Sequence, residues 1–336
     1  MSLSPGKLAR MQRLSRPDGV IAALAMDQRG SLQKLLAAAM GIDKKDVTGQ
    51  MMTEFKTAVT KILSPHASAI LLDSEYGLEA KEVRSENAGL LLAYEKSGYD
   101  NTQPGRLPDL VDTASVKRIA EDWKADAVKV LMHYTPFEDA RINDIKHAFI
   151  ERIGAECDSY QMPFFLELVG YDPKDGNEKG FEFARIKPDV VTRSMAEFSK
   201  PQYKVDVLKV EVPINAQYVE GSVVYKGQKA CSWSEALEHF RCAAAAATRP
   251  FIYLSAGVSN EQFVESLRMA AESGAGFSGV LCGRATWKDG VPVYAQHGLQ
   301  AFEEWLRSDG VRNINAVNDA IKTAKPWYAR AGIASG

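Results

Sequence analysis

The chain has 336 residues, 46% of them apolar and 25% charged, which is an ordinary globular composition. Its 41 basic and 43 acidic residues leave a formal charge of -2, so no global field favours nucleic acid or an anionic membrane as a partner. The longest apolar stretches are strand-sized, which argues against a transmembrane helix, and residues 1–10 lack the apolar core of a signal peptide.

Short β-rich runs recur along the chain with helical segments between them. They cover residues 19–26, 67–72, 89–93, 127–132, 163–169, 205–212, 250–254 and 279–282. The intervening segments carry helical spacing and strong helix formers, as in 139–158 and the alanine-rich 235–247. Ser259 is placed to cap the helix that follows the seventh run. Residues 172–179, rich in Asp, Gly, Asn and Lys, read as an exposed loop. Eightfold strand–helix alternation predicts an α/β fold, a single-domain (β/α)8 barrel spanning 1–336. The active site of such a barrel lies at the C-terminal ends of its strands.

Charges inside those strands are the chemical signal. Lys209 sits within the apolar run 205–212, Lys129 within 127–132 and Glu167 within 163–169, while Asp27 ends the first run. A lone ammonium in an apolar interior is expensive and tends to lose its proton. Lys209 shares a strand face with Val205, Val207 and Glu211 by two-residue periodicity. If all four charges point inward, two cations and two anions occupy one cavity, compensating charge and perturbing proton affinities together. Asp73 and Glu75 also end a strand, where acids serve equally as caps.

The last two runs end in Ser255-Ala256-Gly257 and Cys282-Gly283-Arg284. Phosphate sites of these barrels form at this position. Gly257 and Gly283 allow close approach of backbone to an anion, and Arg284 offers a planar donor fork. The histidines do not cluster, and Cys157, Cys231, Cys242 and Cys282 have neither CxxC nor zinc spacing. We therefore expect no metal site, free thiols and a cytoplasmic protein. No Walker loop or GxGxxG follows the first run, so no nucleotide cofactor is expected.

Several segments carry a family resemblance: 25–30 (AMDQRG), 71–77 (LLDSEYG), 89–99 (GLLLAYEKSGY), 105–109, 150–157 (IERIGAEC), 207–213, 253–259 and 279–287. Through them the chain resembles the class I, Schiff-base tagatose 1,6-bisphosphate aldolases, across nearly its whole length. The resemblance implies a (β/α)8 barrel and reversible cleavage of a phosphorylated ketose. It implies Lys209 as the Schiff-base lysine, Glu167 as general acid/base, Lys129 as a second active-site lysine and Asp27 as the strand-one acid with Gln28 beside it. It places phosphate binding at Ser255, Gly283 and Arg284, with Leu281 lining the site. The chemistry it implies needs no metal or cofactor.

A lysine at its ordinary pKa of about 10.4 is neutral in only about one molecule in a few thousand at pH 7. A neighbouring cation such as Lys129 and partial desolvation both raise that fraction. Three other readings stay open at this point. The first is a Schiff-base aldolase for fructose 1,6-bisphosphate or sulfofructose 1-phosphate. The second is a barrel isomerase or dehydratase, which forms no lysine adduct. The third is a sugar-phosphate-binding regulator without turnover. A small phosphorylated ketose is the partner in the leading reading, with a homo-oligomer open.

Overall fold

A computed structural model describes residues 3–174 and 176–331. Eight parallel strands close into a barrel: β1 (Ile21–Ala25), β2 (Ala69–Asp73), β3 (Gly89–Ala93), β4 (Ala127–His133), β5 (Phe164–Val169), β6 (Val207–Val210), β9 (Phe251–Tyr253) and β10 (Gly279–Cys282). Between β6 and β9 the chain adds a two-stranded pair that the sequence did not announce, β7 (Val219–Glu220) with β8 (Cys231–Ser232). β10 pairs with β1 and closes the ring, Ile21 standing opposite Gly279.

The strands alternate as their composition dictates. Leu72, Leu92, Val130, Leu166, Leu208 and Val210 point outward into the layer shared with the helices. Ala25, Leu71, Ala93, Ala127, Phe165, Val207, Ile252 and Leu281 point inward and fill the barrel. Val205 departs from the expected face. β6 begins only at Val207, and Val205 packs in the outer, helix-covered core.

The crossovers hold most of the predicted helices. The segment predicted at 139–158 forms the helix Ala140–Ser159, with Asp139 accepting the Arg141 N–H as its cap. The alanine-rich segment forms Trp233–Ala246, and Ser259 caps Asn260–Glu272 through the Gln262 N–H. The β2–β3 connection carries only a 3-10 turn, Ala80–Val83, in place of the expected helix. Its 15-residue span includes Gly77, which packs against the Asp73 backbone. Residue 175 of the predicted loop 172–179 lies outside the described residues.

The N-terminal mouth is shut from below. The helix Pro5–Leu14 inserts Met11 and Leu14 into the inner core beside Trp327. Lys7 pairs with Asp206 at 2.8 Å, and the Trp327 indole donates to Ser15 Oγ at 3.2 Å. With that end plugged by apolar side chains, the barrel opens toward the C-terminal ends of its strands.

Candidate active site

The inward register carries apolar residues up to a level and then changes to charge. Two residues beyond Ala25, Ala93, Ala127, Phe165 and Val207 stand Asp27, Glu95, Lys129, Glu167 and Lys209. Strand pairing brings Glu167 beside Lys209, and Lys129 beside Ala93. The period-two rule therefore delivers five ionisable side chains to one plane above an apolar floor.

Lys129 is fully buried, and three carboxylates converge on its ammonium. Asp27 Oδ2 lies at 2.9 Å, Glu95 Oε1 at 2.7 Å and Glu167 Oε2 at 2.8 Å. Lys209, 3% exposed, places its Nζ 2.8 Å from the same Glu167 Oε2. One carboxylate oxygen thus joins the two lysines. Burial disfavours the charge on Lys129, but Asp27, Glu167 and Glu95 overcome it and hold its pKa well above the ordinary lysine value. Burial opposes ionisation of Glu167 as well, yet Lys129 and Lys209 keep its pKa below the usual range. Asp27 is held far lower, chiefly by Lys129 and then Lys209 working against burial. Burial raises the pKa of Glu95 against the pull of Lys129 and Arg29.

The structure brings all four strand charges predicted from the sequence into contact. Glu95 was missed, although the alternation Leu91, Ala93, Glu95 would have found it. Asp73 is structural: fully buried, it takes Lys56 at 2.6 Å and accepts the backbone N–H groups of Glu75 and Tyr76. Lys56 comes from the helix Gly49–Leu63 and also donates to the carbonyls of Met26 and Gln28. It thereby fixes the backbone on both sides of Asp27. Glu75 is exposed. Gln28 adjoins Asp27, and its Oε1 is buried with no hydrogen-bond partner among the described residues. Leu281 belongs to the apolar filling of the barrel.

A cavity of about 550 Å³ reaches this plane at Glu167. Glu167, Leu131 and His133 wall one side, and Ser255, Gly257 and Arg284 wall another, with Arg106 and Lys187 also at its border. Burial, with Arg106 and Lys146 nearby, depresses the His133 pKa to about 4. Glu211 turns away from Lys209 and meets Lys187 at 3.0 Å, while accepting the Gly170 N–H at 2.8 Å.

The two predicted glycines have separate reasons. Gly257 has φ +78°, and a Cβ there would meet the Arg284 guanidinium at 2.8 Å. The turn after β9 therefore packs directly against Arg284, with Lys288 Nζ 3.2 Å from the Gly257 carbonyl. Gly283 is demanded by the fold, since a Cβ would stand 2.0 Å from the Ala25 carbonyl of β1. The bare backbone expected to admit an anion at this position admits a neighbouring strand.

Among the described residues no group of three or more His, Cys, Asp or Glu is arranged to hold a metal ion. Cys157, Cys231 and Cys282 are buried free thiols and Cys242 is an exposed one. No described helix is long and apolar enough to cross a membrane.

Known proteins share both sequence and fold with this chain. The family model "DeoC/LacD family aldolase" matches residues 21–289. Tagatose 1,6-diphosphate aldolase 2 of Enterococcus faecalis is 50% identical over 337 residues, covering 100% of both chains. Tagatose 1,6-diphosphate aldolase of Listeria monocytogenes is 49% identical over 99% of this chain and 96% of its own. Among solved structures, a fructose-bisphosphate aldolase from Plasmodium falciparum superposes with a TM-score of 0.66 at 12% identity, covering 97% of each chain. A Schiff-base-forming fructose-1,6-bisphosphate aldolase does so with a TM-score of 0.56 at 15% identity, covering 93% of this chain and 98% of its own. These structural likenesses carry the fold. Together with the full-length sequence identity, they lead to one conclusion: the chain belongs to the DeoC/LacD family of aldolases.

Proposed function

We propose that this aldolase cleaves tagatose 1,6-bisphosphate reversibly into dihydroxyacetone phosphate and glyceraldehyde 3-phosphate, through a Schiff base on Lys209. The observation that carries the reading is the Lys209–Glu167–Lys129 chain, with both lysine nitrogens 2.8 Å from one oxygen of Glu167, which lines the cavity. The named activity of relatives at 49–50% identity supports the substrate.

In this mechanism the neutral Lys209 amine attacks the C2 ketone and gives a carbinolamine. Loss of water leaves an iminium ion. Glu167 sits on the Lys209 nitrogen, so it takes the amine proton and returns a proton to the departing hydroxyl. The iminium then accepts the electron pair of the C3–C4 bond as the C4 hydroxyl gives up its proton. Glyceraldehyde 3-phosphate leaves, and an enamine remains. Protonation at C3 and addition of water release dihydroxyacetone phosphate and restore the amine. Lys129 keeps a positive charge beside Glu167 and Asp27 throughout, which holds both carboxylates in the basic form needed for proton acceptance. Asp27 and Gln28 offer acceptor oxygens to the substrate hydroxyls.

Ser255, Gly257 and Arg284, which line the cavity together, form the phosphate end, with Arg284 contributing a planar donor fork and the Gly257 turn packed against it. Anchoring the phosphate there holds the ketone over Lys209. Leu281 contributes to the dry floor that makes these charge interactions strong. The reaction needs no cofactor, and we place the protein in the cytoplasm, where phosphorylated ketoses occur. Incubating the two triose phosphates with the protein and resolving the ketose products tests the substrate. Tagatose 1,6-bisphosphate among the products supports the reading. Formation of fructose 1,6-bisphosphate alone assigns the neighbouring substrate, and no ketose bisphosphate overturns the activity.

A further inference from the structure

Glu95 is a buried carboxylate that the proposed chemistry does not use, yet it makes the shortest contact to the Lys129 ammonium, 2.7 Å. It reaches inward from two residues beyond the end of β3, on the register that carries Leu91 and Ala93. Its other oxygen, Oε2, is buried and has no hydrogen-bond partner among the described residues. A carboxylate kept for architecture alone satisfies both oxygens, as Asp73 does with Lys56 and two backbone N–H groups. Glu95 instead turns one oxygen to Lys129 and leaves the other open.

An ammonium has three N–H groups. Lys129 faces three carboxylate oxygens within 2.9 Å, from Asp27, Glu95 and Glu167. Hydrogen bonds to Asp27 and Glu95 fix the ammonium at a point 2.8 Å from Glu167 Oε2. Arg29 holds Glu95 in turn, its Nη2 donating to the Glu95 carbonyl at 2.8 Å and lying 3.6 Å from Oε1. We propose that Glu95 is a positioning residue of the aldol site, which acts through Lys129 by holding its ammonium beside Glu167 and by adding the negative charge that sets the pH at which the site frees its amine. The proposal rests on the Schiff-base reading above.

The sign follows from the charges facing the site. Asp27 and Arg29 come from the end of β1, Lys56 with Asp73 from the helix Gly49–Leu63 and β2, and Lys129, Glu167 and Lys209 from β4, β5 and β6. Cys282 adds a neutral thiol from β10. Converting Glu95 to a neutral amide removes one negative charge and makes every ammonium in the set easier to deprotonate.

The test is Glu95→Gln beside Glu95→Asp, with Asp206→Asn as a control that breaks the buried Lys7 pair at the opposite end of the barrel. Rate against pH is measured with the ketose bisphosphate, and adducts are trapped with borohydride. For Glu95→Gln we expect kcat to fall about tenfold to a hundredfold, KM to stay within about twofold, and the acid limb to move about one unit toward lower pH. Glu95→Asp keeps the charge, so its limb stays in place while kcat falls. Should Glu95→Gln fail to fold, the Asp variant decides alone, because unchanged kcat there contradicts the positioning role. A Gln variant that behaves like Asp206→Asn, losing thermal stability with kcat and the limb unmoved, overturns the proposal. Absence of any trapped adduct in the unmodified protein overturns the Schiff-base reading instead, so the two failures are distinct.

Discussion

Lys129 and Lys209 place their nitrogens 2.8 Å from the same oxygen, Oε2 of Glu167. The two ammonium groups share one carboxylate, so a change at any of the three alters the charge felt by the others.

Lys129→Met removes the cation held by Asp27, Glu95 and Glu167. Leaving buried charges uncompensated costs about 3–5 kcal/mol, so thermal unfolding moves several degrees lower. The remaining carboxylates favour the charged form of Lys209. The acid limb of Schiff-base formation therefore moves to higher pH and the step slows. A stopped-flow pH profile of adduct formation checks this, and an unmoved limb removes Lys129 from the role.

Glu167→Gln keeps the shape but loses proton transfer. We expect kcat to drop about a hundredfold to ten-thousandfold with a smaller change in KM. The adduct on Lys209 still traps, more slowly, because the nucleophile is intact. Steady-state kinetics beside single-turnover trapping separates these effects.

Arg284→Ala probes the proposed phosphate end. Loss of a charge-assisted pair of about 1.5–3 kcal/mol raises KM for the phosphorylated ketose by about tenfold to a hundredfold. Binding of a ketose lacking that phosphate changes little. Titration calorimetry with both ligands measures the difference, and equal losses for the two place Arg284 outside phosphate recognition.

His133 lines the cavity and its pKa sits at about 4, below the ordinary value, because burial and the cations Arg106 and Lys146 oppose its charge. A depressed pKa means that the unfolded chain binds the extra proton first. Stability is therefore full above about pH 6.5 and is lost as pH falls toward 4. After discounting for partial exposure, the protein loses about 1–2 kcal/mol relative to His133→Phe between pH 7 and pH 5. Urea unfolding of both proteins at the two pH values reads the difference directly.

Much of this was written in the chain in two-residue steps. The apolar runs exposed Lys129, Glu167 and Lys209 because a charge inside a β-rich segment has few places to point. The same rule would have found Glu95, had the third run been followed past its last aliphatic residue. Other features leave weaker marks. Lys56 lies mid-helix among Met52, Phe55 and Val59, and only three-dimensional contact shows that it clamps the backbone around Asp27. Gly283 looked like room for an anion, but its space is filled by the Ala25 carbonyl, a long-range strand contact that no local pattern encodes. The expected helix between β2 and β3 is a 3-10 turn, so repeated alternation indicated the barrel without fixing each crossover.

The Schiff-base reading requires that Lys209 carry the substrate covalently. Incubation with dihydroxyacetone phosphate, borohydride reduction and peptide mass spectrometry test it in one measurement. We predict a single reduced adduct on the peptide containing Lys209, absent from Lys209→Met and still present, at lower yield, in Lys129→Met. An adduct on Lys129 with Lys209 unmodified, or no adduct on either lysine, contradicts the account.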